Sequence, residues 1–429
     1  MPMKSSLFNV FMPAKNGYAL YNTLNESILF CDEELKNAVE NNDFDVLSPE
    51  YREALKKYGV ITEESTNELL IYQYRYNCRV FDTNKIQFTV VTTYACNLAC
   101  PYCYEGKGEI YSGEMDYEVA EKVLRIMQDH VTQLQSKYVT LILFGGEPLL
   151  NLEVGVTIVK KMKEWCTTHN LAMRTFMVTN STLLTKDKIL SLKNVIDGFQ
   201  ITFDGSQSFH DTTRIYKNGK GTYTDVLKAV GAALSEGIDV SLRIQVSKEN
   251  SPFMHHLFQD LAPYLETGKI SLNIAPLSRY SGMCSNFSSH FLEKEEQETV
   301  LPAILQYNPH LQPAPNYIPC VAFTNSLIFD GNGSIYKCIT TVGEDKRSGY
   351  IGEKGIVWEP ELYTFMTRAP ERIDECRKCS YLPLCGGGCP RTAYLNHKTY
   401  EKNVCGGSKK VYFEIIRAYL KRKFPERVL

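Results

Sequence analysis

The chain of 429 residues contains no apolar run near the ~20 residues that span a bilayer, and Met1 to Leu20 holds no apolar core of a secretory signal. These absences predict a cytoplasmic protein without a membrane segment. Charge of one sign is missing too. A formal net charge of -2 leaves no polycationic patch for nucleic acid, and no long like-charge block marks a disordered tail. Nucleic-acid and membrane partners are therefore not expected, and small-molecule or peptide substrates fit better. With 44% hydrophobic and 22% charged residues, the chain has material for two or three domains and a core that needs no staples. Cysteine, by contrast, is abundant. There are 14, and without a signal peptide clustered cysteines read as metal sites rather than disulfides. Cys31, Cys78 and Cys166 stand apart from any cluster and are expected to be buried thiols.

From Ile86 onward, short apolar runs alternate with longer amphipathic ones, the pattern of βαβ units around a parallel sheet. The runs place strands at Ile86–Thr93, Tyr138–Phe144, Ala172–Thr179, Gly198–Phe203, Asp239–Val246 and Lys269–Ala275. Helices are expected at Tyr117–Thr132, Val154–Asn170, Lys186–Leu192, Tyr223–Glu236 and Pro252–Tyr264, with Leu292–Leu305 closing the set. Thr185 and Ser251 read as N-caps. Six units rather than eight imply an α/β fold with a partial, open (β/α)6 barrel over 86–308, whose functional groups sit on loops at the carboxyl ends of the strands. Residues 1–85 read as a small winged-helix-like domain. It begins with a hairpin of Tyr18–Asn22 and Ser27–Phe30, followed by helices over Asp32–Asn41 and Ser48–Tyr58 with Gly59 as C-cap. Pro309, Pro313, Pro315 and Pro319 exclude helix and mark a link to a cysteine-rich third domain, 309–429.

Directly after the first strand comes Thr93-Tyr94-Ala95-Cys96-Asn97-Leu98-Ala99-Cys100-Pro101-Tyr102-Cys103, a Cys-x3-Cys-x2-Cys spacing. Three thiolates on one short loop can hold three irons of a four-iron cluster and leave the fourth iron without a protein ligand. A zinc loop, which here lacks a nearby fourth ligand, and packed core thiols are the other readings. The second strand runs into Phe144-Gly145-Gly146-Glu147-Pro148. A glycine pair lets backbone approach a ligand closely, and Glu147 can accept from an ammonium. Alone, the segment is also an ordinary tight turn between strand and helix.

The cysteine loop resembles the Cys-x3-Cys-x-aromatic-Cys signature of the radical S-adenosylmethionine (SAM) enzymes, with Tyr102 as the aromatic residue. Gly145-Gly146-Glu147-Pro148 is similar to the segment that binds the methionyl amino group of SAM in that family. Thr202-Phe203-Asp204-Gly205 and His210-Asp211-Thr212-Thr213-Arg214 look like two further elements of its sulfatase-maturase members. The resemblance implies Thr202 at the SAM ribose or carboxylate and Arg214 at the carboxylate. Asn180, after the third strand, and Arg243, in the fifth, are expected to face the same end of the barrel; a satisfied turn asparagine and a structural ion pair are the alternatives.

In the C-terminal third, Cys320, Gly333, Cys338, Cys376-x2-Cys379-x5-Cys385-x3-Cys389 and Cys405 follow the order of the SPASM domain, which holds auxiliary 4Fe-4S clusters in a subfamily of these enzymes. A zinc ribbon built from Cys376, Cys379, Cys385 and Cys389 is the other reading. Carried over by position, the resemblance implies Cys376, Cys379, Cys385 and Cys405 as ligands of an outer cluster, and Cys320, Cys338 and Cys389 as ligands of an inner one. Pro313 to Pro319 contains no further cysteine, so the inner cluster would have an open iron or be completed by Cys284. An open iron favours a soft substrate thiolate, with water or another side chain as the alternative. Ile339 follows Cys338 where sulfatase maturases carry an aspartate base, and isoleucine cannot take a proton.

The resemblance thus implies three 4Fe-4S clusters, bound SAM, and one-electron cleavage of SAM to methionine and a 5′-deoxyadenosyl radical that removes hydrogen from unactivated carbon. The expected protein is a radical SAM oxidoreductase that matures a ribosomally made precursor peptide, foremost by a thioether cross-link of the sactipeptide kind. Carbon-carbon or carbon-oxygen cross-linking, formylglycine formation in a sulfatase and a non-enzymatic zinc scaffold are the alternatives. Residues 1–85 resemble the precursor-binding domain fused to many peptide-modifying enzymes, or merely pack over the barrel. A helix over Val411–Lys423 presents a basic face that could dock a low-potential flavodoxin or ferredoxin, or simply be solvated.

Overall fold

The computed structural model describes residues 2–105, 113–277, 289–305, 307–308, 310–405 and 408–428, so Cys284 lies outside the described residues. The chain divides into two compact units. One comprises Met1–Phe81, Lys294–Val321 and Thr367–Leu429, and the other Asp82–Glu293 and Ala322–Met366.

In the second unit the expected core strands form at Lys85–Val91, Tyr138–Phe144, Ala172–Thr179, Gly198–Phe203, Asp239–Val246 and Ile270–Pro276, parallel and side by side in chain order. Helices Tyr117–Leu134, Leu152–Thr168, Lys186–Leu192, Tyr223–Ser235 and Met254–Leu265 connect them. Thr185 caps its helix by accepting from the Lys188 amide. Ser251 does not cap: with Pro252 and Phe253 it forms a separate 3-10 turn, and Phe253 occupies the N-cap position of the helix that follows. A proline so close to the start permits either arrangement, because its missing N–H is no loss in the first turn.

The sheet does not close into a barrel. Leu327–Phe329 adds beside Lys85–Val91, and Ser334–Tyr336, Gly349–Gly352 and Gly355–Trp358 continue it antiparallel to a total of 10 strands. These last four strands are 3 or 4 residues long, too short for a readable period. In the fourth and fifth core strands alternation is strict. Phe199, Ile201, Leu242 and Ile244 are buried, whereas Gln200, Thr202, Ser241, Arg243 and Gln245 are half-buried on the opposite face.

The first unit contains the expected hairpin, Gly17–Asn22 paired with Ile28–Cys31, and a third strand, Asn9–Ala14, on its other side. Pro13 hides that strand from sequence reading, yet proline is tolerated at a sheet edge. Met3–Ser5 pairs with Ile61–Glu63, and helices Glu33–Asn41, Pro49–Lys57 and Glu68–Val80 complete the N-terminal part. The proline-rich stretch is non-helical over its described residues and is tied down within this unit. Tyr21 Oη donates to Pro313 O at 2.5 Å and Tyr72 Oη to Tyr317 O at 2.9 Å. The C-terminal helix Ser408–Lys423 buries Ile416 and Leu420 against Val10, Met12 and Tyr21, and leaves Arg417, Lys421 and Arg422 exposed. Cys31 and Cys166 are buried as expected, but Cys78 is exposed. On helix Glu68–Val80 it shares the face of exposed Leu70 and Tyr74, four residues apart, rather than the face of buried Tyr72, Tyr76 and Val80. No helix among the described residues is long and apolar enough to cross a membrane.

His130, on helix Tyr117–Leu134, lies 6.4 Å from the Phe88 ring, and burial together with the Lys337 charge pushes its pKa from 6.5 down to about 4. The unfolded chain therefore binds this proton at a pH where the folded chain resists it. Stability is whole above about pH 6.5 and falls as pH drops toward 4, by on the order of 2 kcal/mol after allowance for partial exposure. Melts recorded between pH 7 and 4 should show this slope, and His130→Gln should flatten it.

Candidate functional site

The loop of Cys96, Cys100 and Cys103 leaves the carboxyl end of the first core strand, and the second strand clamps its lead-in. The Gly146 amide donates to Thr93 O and the Glu147 amide to Ala95 O, each at 2.9 Å. This close approach explains the glycine pair. A Cβ on Gly145, whose φ is +156, would lie 2.4 Å from Thr93 O, and one on Gly146 would lie 2.5 Å from Tyr94 O.

Glu147 is fully buried. It accepts from Thr179 Oγ1 at 2.7 Å, the Asn180 amide at 2.8 Å and the Leu149 amide at 3.1 Å. Burial raises the pKa of its carboxyl group, and these donors hold the rise back. Asn180, just past the third strand, extends Nδ2 to Asn97 Oδ1 at 2.9 Å and to Cys96 Sγ at 3.7 Å, while its Oδ1 accepts from the Thr182 amide and hydroxyl. Glu147 and Asn180 therefore anchor the first cysteine from two neighbouring strand ends.

Tyr102 is held from the fourth strand. Its hydroxyl donates to Asp204 Oδ2 at 2.6 Å and accepts from Arg214 Nη1 at 3.0 Å, and Thr213 Oγ1 donates to the same Asp204 oxygen at 2.7 Å. Burial raises the Asp204 pKa and the Arg214 charge opposes the rise. His210 Nδ1 accepts from the Asp204 amide at 3.3 Å, so its proton sits on Nε2, which donates to Thr222 Oγ1 at 3.0 Å. Burial keeps that imidazole neutral, with its pKa well below the usual value. Thr222 Oγ1 in turn donates to Arg214 O at 2.6 Å, and Asn250 Nδ2 bridges Asp204 O and Gln245 O. Sequence reasoning quoted Asp204 and His210 inside motifs without giving them roles, and it had no signal for Asn250.

Thr202 and Arg243 form a second grouping within the strands. They are register partners, and Arg243 pairs onward with Asn273, donating from Nη1 to its Oδ1 at 3.0 Å.

Buried polar atoms normally find hydrogen-bond partners. Thr92 Oγ1, Ser181 Oγ, Asp204 Oδ1 and Gln245 Oε1 have none, and each lies at or just past the carboxyl end of a different core strand; Arg214 Nε is likewise unmatched. A polar ligand at this end would satisfy them, so the residues present fit SAM. Cys96 and Cys100 fit a cluster. Burial pushes their thiols up to about 11 and about 12, each of the two sensing Cys103 as a charged neighbour.

In the first unit Cys376 and Cys379 are buried, and Cys385 and Cys405 are half-buried. Burial, and after it the Cys385 and Cys405 charges, pushes the Cys376 thiol up to about 12; Cys385 in turn senses Cys405 and Cys379. Among the described residues, however, no three metal-ligating side chains converge on one point. Of the residues assigned to the inner cluster, Cys320 and Cys389 belong to the first unit and are exposed, and Cys338 belongs to the second. Ile339, next to Cys338, packs against an apolar group of Val91, Tyr94, Ile328, Tyr336 and Val342.

An open α/β sheet with a three-cysteine loop after its first strand defines a class, and residues 90–251 match the family model of the radical SAM superfamily. The chain carries a radical SAM domain. It is 22% identical over 346 residues to the serine-type anaerobic sulfatase-maturating enzyme of Klebsiella aerogenes, a match that covers 75% of this chain and 83% of that protein. The fold is similar to native anSMEcpe with bound AdoMet, at TM-score 0.61 and 19% identity over 79% of this chain and 97% of that one. It is also similar to Streptococcus suis SuiB bound to precursor peptide SuiA, at TM-score 0.54 and 15% identity over 94% of this chain and 98% of that one.

Gly146→Ala tests the clamp. Its Cβ would meet main chain, so the Thr93–Ala95 segment must shift, and a destabilisation of ~1–3 kcal/mol is expected. The variant, purified without oxygen, should bind less iron per chain and bind SAM more weakly. Wild-type iron and SAM binding would show that this contact does not position the loop.

Proposed function

We propose that this protein is a radical SAM maturase that oxidises a ribosomally made precursor peptide, joining a substrate cysteine sulfur to a carbon as a thioether. The observation that carries the reading is the pair of donor sets. One unit holds a three-cysteine loop among unsatisfied buried polar atoms, and the other holds four thiols that sense one another. When bound, the clusters and SAM supply one-electron cleavage, hydrogen abstraction and an electron sink. The protein's own groups hold these parts in place. Glu147 and Asn180 fix the Cys96 segment, Tyr102 and Arg214 are locked by Asp204, and the ladder of half-buried Thr202 and Arg243 and exposed Asn273 offers hydrogen-bonding groups to SAM or peptide.

A cross-link of this kind removes hydrogen from carbon, a proton from sulfur and a further electron. Supplying that proton acceptor from residue 339 is impossible, since Ile339 faces an apolar cluster. A substrate thiol that binds iron as thiolate needs no such base. The same isoleucine argues against sulfatase maturation, the activity in the name of the Klebsiella relative. A low-potential flavodoxin or ferredoxin would deliver electrons, and the exposed Arg417, Lys421 and Arg422 suit such an acidic partner.

Anaerobic incubation of reduced protein with SAM, reductant and cysteine-containing precursor peptides is the test. The expected product is lighter by two hydrogen atoms, with its cysteine closed to alkylation, and a Cys→Ala peptide should give none. Formylglycine in a Cys-x-Pro-x-Arg peptide, or cross-linking of a peptide without cysteine, would overturn the thioether assignment. Cys96→Ala should abolish SAM cleavage, whereas Cys376→Ala should leave cleavage uncoupled from product.

A further inference from the structure

Arg368 is the largest of the fully buried side chains among the described residues, at 1% exposure. A guanidinium has five N–H donors, and here all of them end on main-chain carbonyls. Nε donates to Tyr400 O at 2.7 Å, Nη1 to Gly386 O and Gly388 O at 3.4 Å each, and Nη2 to Gly387 O at 2.7 Å and Lys402 O at 3.2 Å. None of the five goes to a carboxylate. Neutral carbonyls meet the hydrogen-bonding needs of a buried cation without cancelling its charge, and an uncancelled buried charge is expensive.

The carbonyls come from two stretches that carry cysteines. Gly386, Gly387 and Gly388 join Cys385 to Cys389 with φ of +60, +82 and +77, a run of left-handed residues that only glycine adopts readily. That conformation turns the three carbonyls toward Arg368 while the amides of Gly387 and Gly388 face the Cys385 sulfur. Tyr400 and Lys402 lie on the approach to Cys405, whose sulfur is 3.2 Å from Asn403 Nδ2. One side chain thus sets the backbone on both sides of the thiol group.

We propose that Arg368 is the positioning residue of the outer auxiliary cluster: its fork fixes the loops that present Cys385 and Cys405, and its buried charge offsets the negative charge of the four thiolates. The proposal rests on the reading of Cys376, Cys379, Cys385 and Cys405 as ligands of a four-iron cluster. Four thiolates around such a cluster leave a net charge of about -2, an anionic counterpart for Arg368, which donates to no carboxylate among the described residues. A cation held beside the cluster favours its reduced state, so removing the charge makes reduction harder.

The test uses the full-length C96A/C100A/C103A protein, which keeps the auxiliary cysteines, with iron analysis and a potentiometric titration followed by electron paramagnetic resonance. Arg368→Gln removes the charge and retains some donors. It should lower the reduced-to-oxidised ratio at a fixed poise about tenfold, ~59 mV for a one-electron couple. Arg368→Lys retains the charge without the fork, and should bind several-fold less iron while the remaining cluster titrates at the parent potential. If Arg368→Gln does not fold, the lysine variant and its circular dichroism carry the test. A parent-like potential in Arg368→Gln, or parent-like iron retention in Arg368→Lys, would overturn the proposal. The underlying reading fails separately, if the parent protein shows no four-iron signal that Cys376→Ala removes.

Discussion

Main chain pressed against main chain at 2.9 Å, where Gly146 and Glu147 meet Thr93 and Ala95, is the contact on which the rest of the radical SAM domain depends. It forces glycine at two consecutive positions and starts the cysteine loop in one direction only. It also delivers Glu147 into a fully buried position, where three donors from its own turn and the third strand receive it. Loop direction, carboxylate placement and the Asn180 hold on Cys96 therefore follow from a single backbone approach. A side chain at either glycine would disturb all three together.

The two units meet the cost of a buried guanidinium in different ways. Arg214 is balanced by Asp204, with the Tyr102 phenol hydrogen-bonded between them, so charge and hydrogen bonds are both local. Arg368 donates, among the described residues, to main-chain carbonyls and to no carboxylate. The first arrangement is self-contained, and its open atoms, Asp204 Oδ1 and Arg214 Nε, point to a polar ligand. The second is electrically incomplete until something anionic sits nearby.

The parallel core was legible because short apolar or alternating runs recur between longer amphipathic stretches, and all six strands fell close to their expected bounds. Reading failed where length or composition removed the period. Gln207–Thr213 is a short, mostly polar helix, Asn9–Ala14 is interrupted by Pro13, and Leu327–Phe329 offers only three residues. At the site, the cysteines and Gly145–Glu147 lie in contiguous motifs and could be seen. Asp204, His210 and Asn250 act by burial and by hydrogen bonds that reach up to 102 positions, from Tyr102 to Asp204, and Arg368 acts by reaching carbonyls up to 34 positions away. Such roles exist only after the chain has folded: the motifs that contain Asp204 and His210 do not assign them, and no local pattern marks Asn250 or Arg368.

The exposed Cys78 has a practical side. It stands on the outside of a surface helix, one turn beyond the exposed Tyr74, and it belongs to none of the proposed cluster sets. A thiol so placed is open to air and to alkylating reagents regardless of whether the iron sites are full. Two chains could meet there and be linked by oxidation into a disulfide dimer that reflects sample handling and not assembly. Thiol counts on this protein must therefore include one reactive sulfur that tracks neither iron content nor substrate turnover.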